Sequence, residues 1–308
     1  MNESLPVIDI SPLRSPDLGA RKAVAALLGK ACREVGFFYV TGHGLSDTAL
    51  KAVFDASRRF FELDLPVKRE MAMSRVGNNR GYVELGYERL DLDAAPDRKE
   101  AFNIGLELAP GDPEIGKPFR GANVWPDLPG WRSLMLDYYD SCHRLGCLIH
   151  QGFSLDLGLP ELFFADKLDT PIATLRLLRY PATPGADPDA PGAGAHTDYG
   201  NLTILAVDGV AGLQVRRRDG VWLDAPHIPG SFICNIGDCL MRWSNDIYVS
   251  TPHRVAVPPQ ERFSIAYFLD PNPDAPVVPV VLQDGEAAKY LPTTGGQFLQ
   301  SRLDPTYR

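Results

Sequence analysis

The sequence predicts a mixed α and β protein whose C-terminal half is an antiparallel sandwich or barrel, with packed helices drawn mostly from the N-terminal half. Three observations carry this. Apolar residues at helical spacing are concentrated before residue 158. From Thr174 onward, β-type runs of about four to eight residues follow one another between turn signals. No helical pattern separates those runs, which argues against a parallel α/β sheet.

Taken in order, "PVIDI" is a short β-type run. Residues 18–35 have helical spacing, with Val24, Leu27, Leu28, Ala31 and Val35 on one face. "GFFYVTGHG", residues 36–44, reads as a buried strand bounded by glycines. A second helix spans about 46–61, with Ser46 or Asp47 as its cap. Residues 109–130 are rich in proline and glycine and read as irregular connection. A long helix follows over 131–157, with Leu134, Tyr138, Cys142, Leu145 and Ile149 at core spacing. The β-runs are "TLRLLRYP", "NLTILAV", "GLQVRRR", "GVWLDA", "SFICNIG", "HRVAV" and "RFSIAYFL". "RRRDGVW" signals a hairpin, because Asp-Gly readily takes the positive φ values of a type I′ turn. "TPGADPDAPGAGA", residues 183–195, reads as a loop running into His196.

Composition narrows the function. With 308 residues the chain can bury a sizeable core, and 44% hydrophobic with 23% charged residues is ordinary for a globular protein. A net charge of −8 argues against an electrostatic nucleic-acid binder, and Arg216–Arg218 beside Asp219 read as the solvated end of a hairpin. Five cysteines without a CxxC pair argue against a disulfide framework or a zinc cluster and for a reducing compartment. They sit in apolar runs, as core residues rather than nucleophiles. No run approaches the roughly 18 apolar residues of a membrane span, and "MNESLPVIDIS" has no secretory pattern. A cytoplasmic protein without membrane or nucleic-acid partners is expected, and a monomer, since no long heptad pattern is visible.

The chemistry gathers around "GAHTDYGNLTIL". Side chains at i and i+2 of an extended segment point the same way, so His196 and Asp198 can reach one point in space. Alone, the pair is as well explained by turn chemistry ahead of a strand. Among possible third ligands, His143 and His150 lie in the long helix, while His43 and His227 sit in loops with no neighbouring chemistry. His253, in "TPHRVAV", opens a β-run in the same half of the chain. Two histidines and a carboxylate match the facial triad of non-haem Fe(II) oxygenases, which leaves coordination positions open. Sequence alone leaves open whether the two strands are neighbours. Arg262 and Ser264 in "ERFSIAYF" also share a face. An inward Arg needs a carboxylate partner, and a bound dicarboxylate would serve, whereas an edge-strand Arg facing water is the plainer alternative. No GxSxG, GxxxxGK[ST] or GxGxxG motif is present.

These residues together resemble the 2-oxoglutarate/Fe(II)-dependent oxygenases, in particular the isopenicillin N synthase-like branch and its bacterial members. The resemblance covers most of the chain. It rests on "PVIDISPL", "CREVGFFYVTGHGLS", "RGY", "DRKEAFNIG", "NVWP", "LRLLRYP", "HTDYGNLTIL", "NIGDCLMRWSNDIYVSTPHRV" and "RFSIAYF" in that order. It implies a double-stranded β-helix, or jelly roll, with one catalytic unit over 1–308. Within that unit, an N-terminal dioxygenase region covers 5–120 and an Fe(II)/2-oxoglutarate core 171–270. It implies His196, Asp198 and His253 as iron ligands, Arg262 and Ser264 as holders of the distal 2-oxoglutarate carboxylate, and Tyr180 as a support for the cosubstrate. One departure is Leu178, where many plant members carry Asn, so one cosubstrate hydrogen bond is missing or replaced. The implied reaction uses O2 and 2-oxoglutarate and hydroxylates a small organic substrate, with desaturation or ring closure as variants. The nearest alternative is a 2-oxoglutarate-independent oxidase of the isopenicillin N synthase type. A zinc hydrolase would need a general base that no HExxH helix supplies.

Overall fold

The structure is a computed structural model that describes residues 4–88, 96–182, 191–282 and 287–303. The N-terminal half supplies β1 (Val7–Asp9), α1 (Leu18–Glu34), β2 (Phe37–Thr41), α2 (Asp47–Phe61), α3 (Leu65–Glu70), α4 (Met73–Val76), β3 (Gly81–Val83), β4 (Glu100–Gly105) and α5 (Trp131–Asp156). The C-terminal half adds β5 (Ala173–Tyr180), β6 (Pro191–His196), β7 (Leu202–Val207), β8 (Leu213–Arg216), β9 (Trp222–Asp224) and β10 (Phe232–Ile236). It continues with α6 (Asp238–Trp243), β11 (His253–Ala256), β12 (Arg262–Leu269), β13 (Pro276–Val277), β14 (Thr293–Thr294) and α7 (Gly295–Leu303).

Eight strands form the major sheet in the order β1-β2-β10-β7-β12-β5-β4-β3, and four form the minor sheet in the order β6-β11-β8-β9. Among the described residues, the β1–β2 pair alone is parallel within these two sheets. The jelly-roll core expected from the resemblance is present, and strands from the N-terminal half extend its major sheet on both flanks.

Period-two alternation explains why the major sheet is buried on both faces. On β12, Phe263, Ile265, Tyr267 and Leu269 enter the core shared with the helices. Arg262, Ser264, Ala266 and Phe268 line a cavity on the opposite face. The helix α5 closes the outer layer: the rings of Tyr139 and Tyr267 meet edge to face at 5.0 Å. A Cβ on Gly146 would fall 2.5 Å from Leu269 Cδ2, so glycine there lets the helix approach the sheet. Trp131 Nε1 donates to Ala56 O at 2.9 Å, tying α5 to α2. Caps follow the sequence. Asp17 accepts from the Gly19 and Ala20 amides at the start of α1, and Ser46 accepts from Ala49 at the start of α2, an interaction worth about 1 kcal/mol.

Four expectations need correction. The buried face of α1 comprises Val24, Ala25, Leu28, Gly29, Ala31 and Cys32, while Leu27 is 55% exposed and Val35 half-buried. The true stripe is rotated toward small side chains that let α1 lie against α5. The Asp-Gly hairpin is not type I′, because Gly220 alone takes positive φ (86°) while Asp219 does not. The loop is a turn closed by Gly220 N to Arg217 O at 2.9 Å. Residues 191–195, assigned to a loop, belong to β6; residues 183–190 of that loop lie outside the described residues. Finally, a short helix, α6, interrupts the β-rich half.

Candidate active site

The open question of strand proximity resolves directly. β6 and β11 pair antiparallel, with the Cα atoms of His196 and His253 as cross-strand partners. The imidazole centroids stand 4.3 Å apart. Asp198, two residues beyond the end of β6, turns its carboxylate toward both: Oδ1 lies 3.8 Å from His196 Nε2 and 3.7 Å from His253 Nε2. One donor atom from each side chain falls within 4.8 Å of the others. At such separations the donors are not bonded to one another; they ring a common point.

The surroundings orient every donor. His196 Nδ1 bonds Gly194 O at 2.7 Å and His253 Nδ1 bonds Thr251 O at 3.2 Å. A carbonyl only accepts, so each Nδ1 carries the proton and each Nε2 presents a lone pair. Asp198 Oδ2 accepts from Thr203 Oγ1 at 2.5 Å and from Asn235 Nδ2 at 2.7 Å, leaving Oδ1 for a metal. Burial, then the neighbouring His253, lowers the pKa of His196 and keeps it neutral. Burial opposes ionisation of Asp198, but the flanking imidazoles and the hydrogen bonds from Asn235 and Thr203 outweigh it and hold its pKa below the usual value. Phe37 packs edge-on against His253 at 5.1 Å. The turn carrying Asp198 is held by α6: the Asp238 amide donates to Asp198 O at 2.8 Å and the Cys239 amide to Tyr199 O at 3.0 Å. A Cβ on Gly237 would sit 2.3 Å from Gly200 O, so this approach requires glycine. Two imidazoles and one carboxylate, with further positions facing a cavity, suit a divalent iron site.

That cavity, of about 1100 Å³, lies between the two sheets. Tyr180 and Arg262 are cross-strand partners, as are Leu178 and Ser264. Arg262 is 1% exposed, yet among the described residues it meets no carboxylate. Its Nε lies 3.3 Å from Val210 O, its Nη1 3.3 Å from Ser264 Oγ, and its guanidinium 4.9 Å from the Tyr180 ring centre. The water-facing alternative for this arginine is therefore wrong. Leu178 brings no polar atom to the position where many plant members carry Asn.

The remaining described histidine contacts are structural. His43 bonds the Leu45 amide and Gly230 O, His143 bonds Leu168 O, and buried His150 lies between Gly146 O and Asn201 Nδ2. Of the aromatics scattered through the sequence, Tyr87 and Tyr199 line the cavity, whereas Tyr82 and Phe102 belong to the core. The five cysteines are unpaired, and burial pushes Cys142 up to about 12 and Cys147 up to about 11.

Sequence reasoning missed Thr203 and Asn235. Asn235 had a signal: it is the lone amide in the apolar run "FICNI", and a buried amide needs a hydrogen-bonding partner. It also missed Asp97, which accepts from the Gly194 amide at 3.0 Å and so braces β6 two residues before His196. A fourth omission is the group of buried Glu88 and Lys99 with partly buried Arg176 on the cavity wall.

Comparison with known proteins agrees with this geometry. Residues 172–271 match the family model described as the 2OG-Fe(II) oxygenase superfamily. Residues 5–128 match that of the non-haem dioxygenase in morphine synthesis N-terminal region. A homoarginine-6-hydroxylase from Oryza sativa subsp. japonica is 38% identical, over 98% of this chain and 97% of its own. A full-length Neurospora crassa protein solved in complex with alpha-KG superposes with a TM-score of 0.89 at 32% identity, covering 100% of both chains. The complex of the same Neurospora crassa protein with alpha-KG and thymine superposes with a TM-score of 0.88 at 32% identity, over 98% of this chain and 97% of that one.

Proposed function

Because the chain belongs to the 2-oxoglutarate/Fe(II) oxygenase superfamily, we propose that His196, Asp198 and His253 hold its iron and that Arg262, Ser264 and Tyr180 hold its cosubstrate. The protein is a 2-oxoglutarate-dependent dioxygenase. Bound Fe(II) supplies the O2-activating redox chemistry that couples oxidative decarboxylation of 2-oxoglutarate to succinate and CO2 with oxidation of a C–H bond. The chain's own residues do the rest. Nδ1 bonds to backbone carbonyls fix both imidazoles, and Thr203 with Asn235 leaves Asp198 a single outward oxygen. Arg262 presents a guanidinium fork to the distal carboxylate, with the Ser264 hydroxyl beside it and the Tyr180 ring against it.

The observation that carries this reading is the fully buried Arg262, without a carboxylate partner among the described residues, on the same cavity wall as the three converging donors. The relatives solved in complex with alpha-KG favour 2-oxoglutarate over a cosubstrate-independent oxidase. Hydroxylation is the proposed outcome. The substrate is proposed to be a small molecule, in keeping with a homoarginine hydroxylase and a thymine complex among the relatives. The whole of 1–308 is proposed to act as one catalytic unit, with its 5–120 region and 171–270 core sharing one sheet. The motif order supports the isopenicillin N synthase-like branch, and the bacterial placement rests on the same resemblance. Five unpaired cysteines support a reducing, cytoplasmic setting, and the acidic net charge a chain acting alone, as a monomer, without nucleic acid. Among the described residues no helix is long and apolar enough to cross a membrane.

The test is anaerobic loading with Fe(II) followed by titration with 2-oxoglutarate. A saturable visible charge-transfer band that Arg262→Ala weakens while iron stays bound is expected, and His253→Ala should lose the iron itself. Equal iron loss in both variants would contradict these roles.

A further inference from the structure

We propose that Glu88 and Asn103 form the substrate-recognition end of the cavity and accept N–H hydrogen bonds from a nitrogen-rich group, a guanidinium or a cyclic amide, on the substrate. The proposal rests on the oxygenase reading above and deepens it.

Register places this end. Across β5 and β12 the cavity-facing pairs run Tyr180–Arg262, Leu178–Ser264, Arg176–Ala266 and Thr174–Phe268. The first two pairs belong to the cosubstrate. Arg176, four residues along β5 from Tyr180, lies about 13 Å away at strand rise, and its partner on the other side is Asn103 of β4. The small side chain of Ala266 opposite Arg176 leaves room above the sheet.

Two acceptors there have no partner among the described residues. Glu88 Oε2 accepts from Arg176 Nη2 at 2.5 Å and lies 3.6 Å from Lys99 Nζ, but its Oε1 is buried and unbonded. Asn103 donates through Nδ2 to Asn79 Oδ1 at 2.9 Å, and its own Oδ1 is likewise buried and unbonded. Asn103 is 2% exposed and Glu88 9%, and both line the cavity. An orphaned buried acceptor is costly, and two on one wall are satisfied together by a ligand that donates twice. A substrate carboxylate set against these two atoms would meet oxygen lone pairs.

Charge decides less than donation. Arg176 and Lys99 keep Glu88 ionised against the effect of burial, and Lys99 is also paired with Asp97. Glu88 and Asp97 pair with Arg176 and Lys99, and buried Arg80 stands against Gly105 two residues along β4 from Asn103, so it is the two orphaned oxygens, not the net charge, that ask for N–H bonds. A cationic guanidinium and a neutral cyclic amide both supply them.

The experiment uses Fe(II)-loaded protein, anaerobic, with saturating 2-oxoglutarate. The probes are L-homoarginine and thymine, each beside a counterpart without the donors, norleucine and 1,3-dimethylthymine. Binding is read by calorimetry and by the shift of the charge-transfer band. At least one N–H probe should bind about tenfold or more tightly than its counterpart. Asn103→Leu should erase that preference, and Asn103→Asp, which keeps an acceptor, should retain part of it. Glu88→Gln separates the two chemistries: it weakens a guanidinium about tenfold or more and leaves a cyclic amide within a few-fold. The proposal is overturned if both N–H probes bind no better than their counterparts while the 2-oxoglutarate complex forms. Failure of that complex to form would instead sink the oxygenase reading, and this proposal with it.

Discussion

Replacing Arg262 by Met should make the unliganded protein more stable and take away most of the stabilisation that 2-oxoglutarate brings. The side chain is 1% exposed, and its polar contacts among the described residues are two bonds of 3.3 Å, to Val210 O and Ser264 Oγ, plus the Tyr180 ring at 4.9 Å. A desolvated cation costs several kcal/mol, of which the ring returns about 0.5–2 kcal/mol. Methionine fills similar volume without the charge, so Arg262→Met should stabilise the metal-loaded, 2-oxoglutarate-free protein by about 1–3 kcal/mol. For a chain of this size that is a Tm increase of roughly 1.5 °C per kcal/mol. Losing one partner of a buried charge pair should weaken 2-oxoglutarate by about 2–5 kcal/mol, or about 30- to 5000-fold. At a concentration one hundred times the native Kd, the native protein gains about 2.7 kcal/mol and the variant less than about 1 kcal/mol. The variant's lead of about 1–3 kcal/mol should therefore fall by about 2–2.7 kcal/mol on adding 2-oxoglutarate, enough to close or invert most of it. Scanning calorimetry of both proteins, with and without cosubstrate, reads this directly. A variant that melts below the native protein without ligand, and gains as much from 2-oxoglutarate, would refute the assignment.

Asn235→Leu removes one of two bonds to Asp198 Oδ2 and should lower Fe(II) affinity about 10- to 100-fold, measured by chelator competition. Gly237→Ala drives a Cβ to 2.3 Å from Gly200 O and 3.0 Å from Asp198 O. It should cost at least about 1–3 kcal/mol in denaturant unfolding and weaken iron binding as well, because the same turn carries the ligand. His150, whose pKa burial lowers to about 4, is neutral in the fold. The unfolded chain gains its proton first, so this stabilisation is complete above about pH 6.5 and is lost as pH falls toward about 4. His150→Leu should remove about 2 kcal/mol of the native protein's loss between about pH 7 and pH 5; parallel stability–pH curves for the two proteins would contradict this.

The strands of the catalytic half were legible because each is a short apolar run between turn residues, and β12 is identical to the predicted run "RFSIAYFL" in its bounds. The three converging donors were legible as types and spacing, since i and i+2 on an extended segment share a direction. Their meeting was not, because the His196–His253 pairing joins strands far apart in sequence. What stayed hidden is what depends on several elements at once. Glu88 and Asn103 are unremarkable polar residues until the register of β4 against β5 sets Asn103 beside Arg176, and Arg176 in turn holds Glu88. The face of α1 differs from the expected one because its inward stripe also uses Ala25 and Gly29, whose small size is a packing requirement and not a hydrophobic signal. The Asp-Gly turn was misjudged because loop length, not the dipeptide, selects its type.

The pairing of β2 with β10 and of β4 with β5 has one more consequence. A chain begun at residue 172 would keep every proposed iron ligand and cosubstrate contact. It would also expose the unpaired amides and carbonyls of "FICNI" on one side and "ATLRLLRY" on the other, two apolar strands with the features of self-associating edges. The N-terminal segments are thus selvages of the same cloth: without them the oxygenase core would keep its iron and cosubstrate contacts, lose its substrate end and be prone to stack on copies of itself.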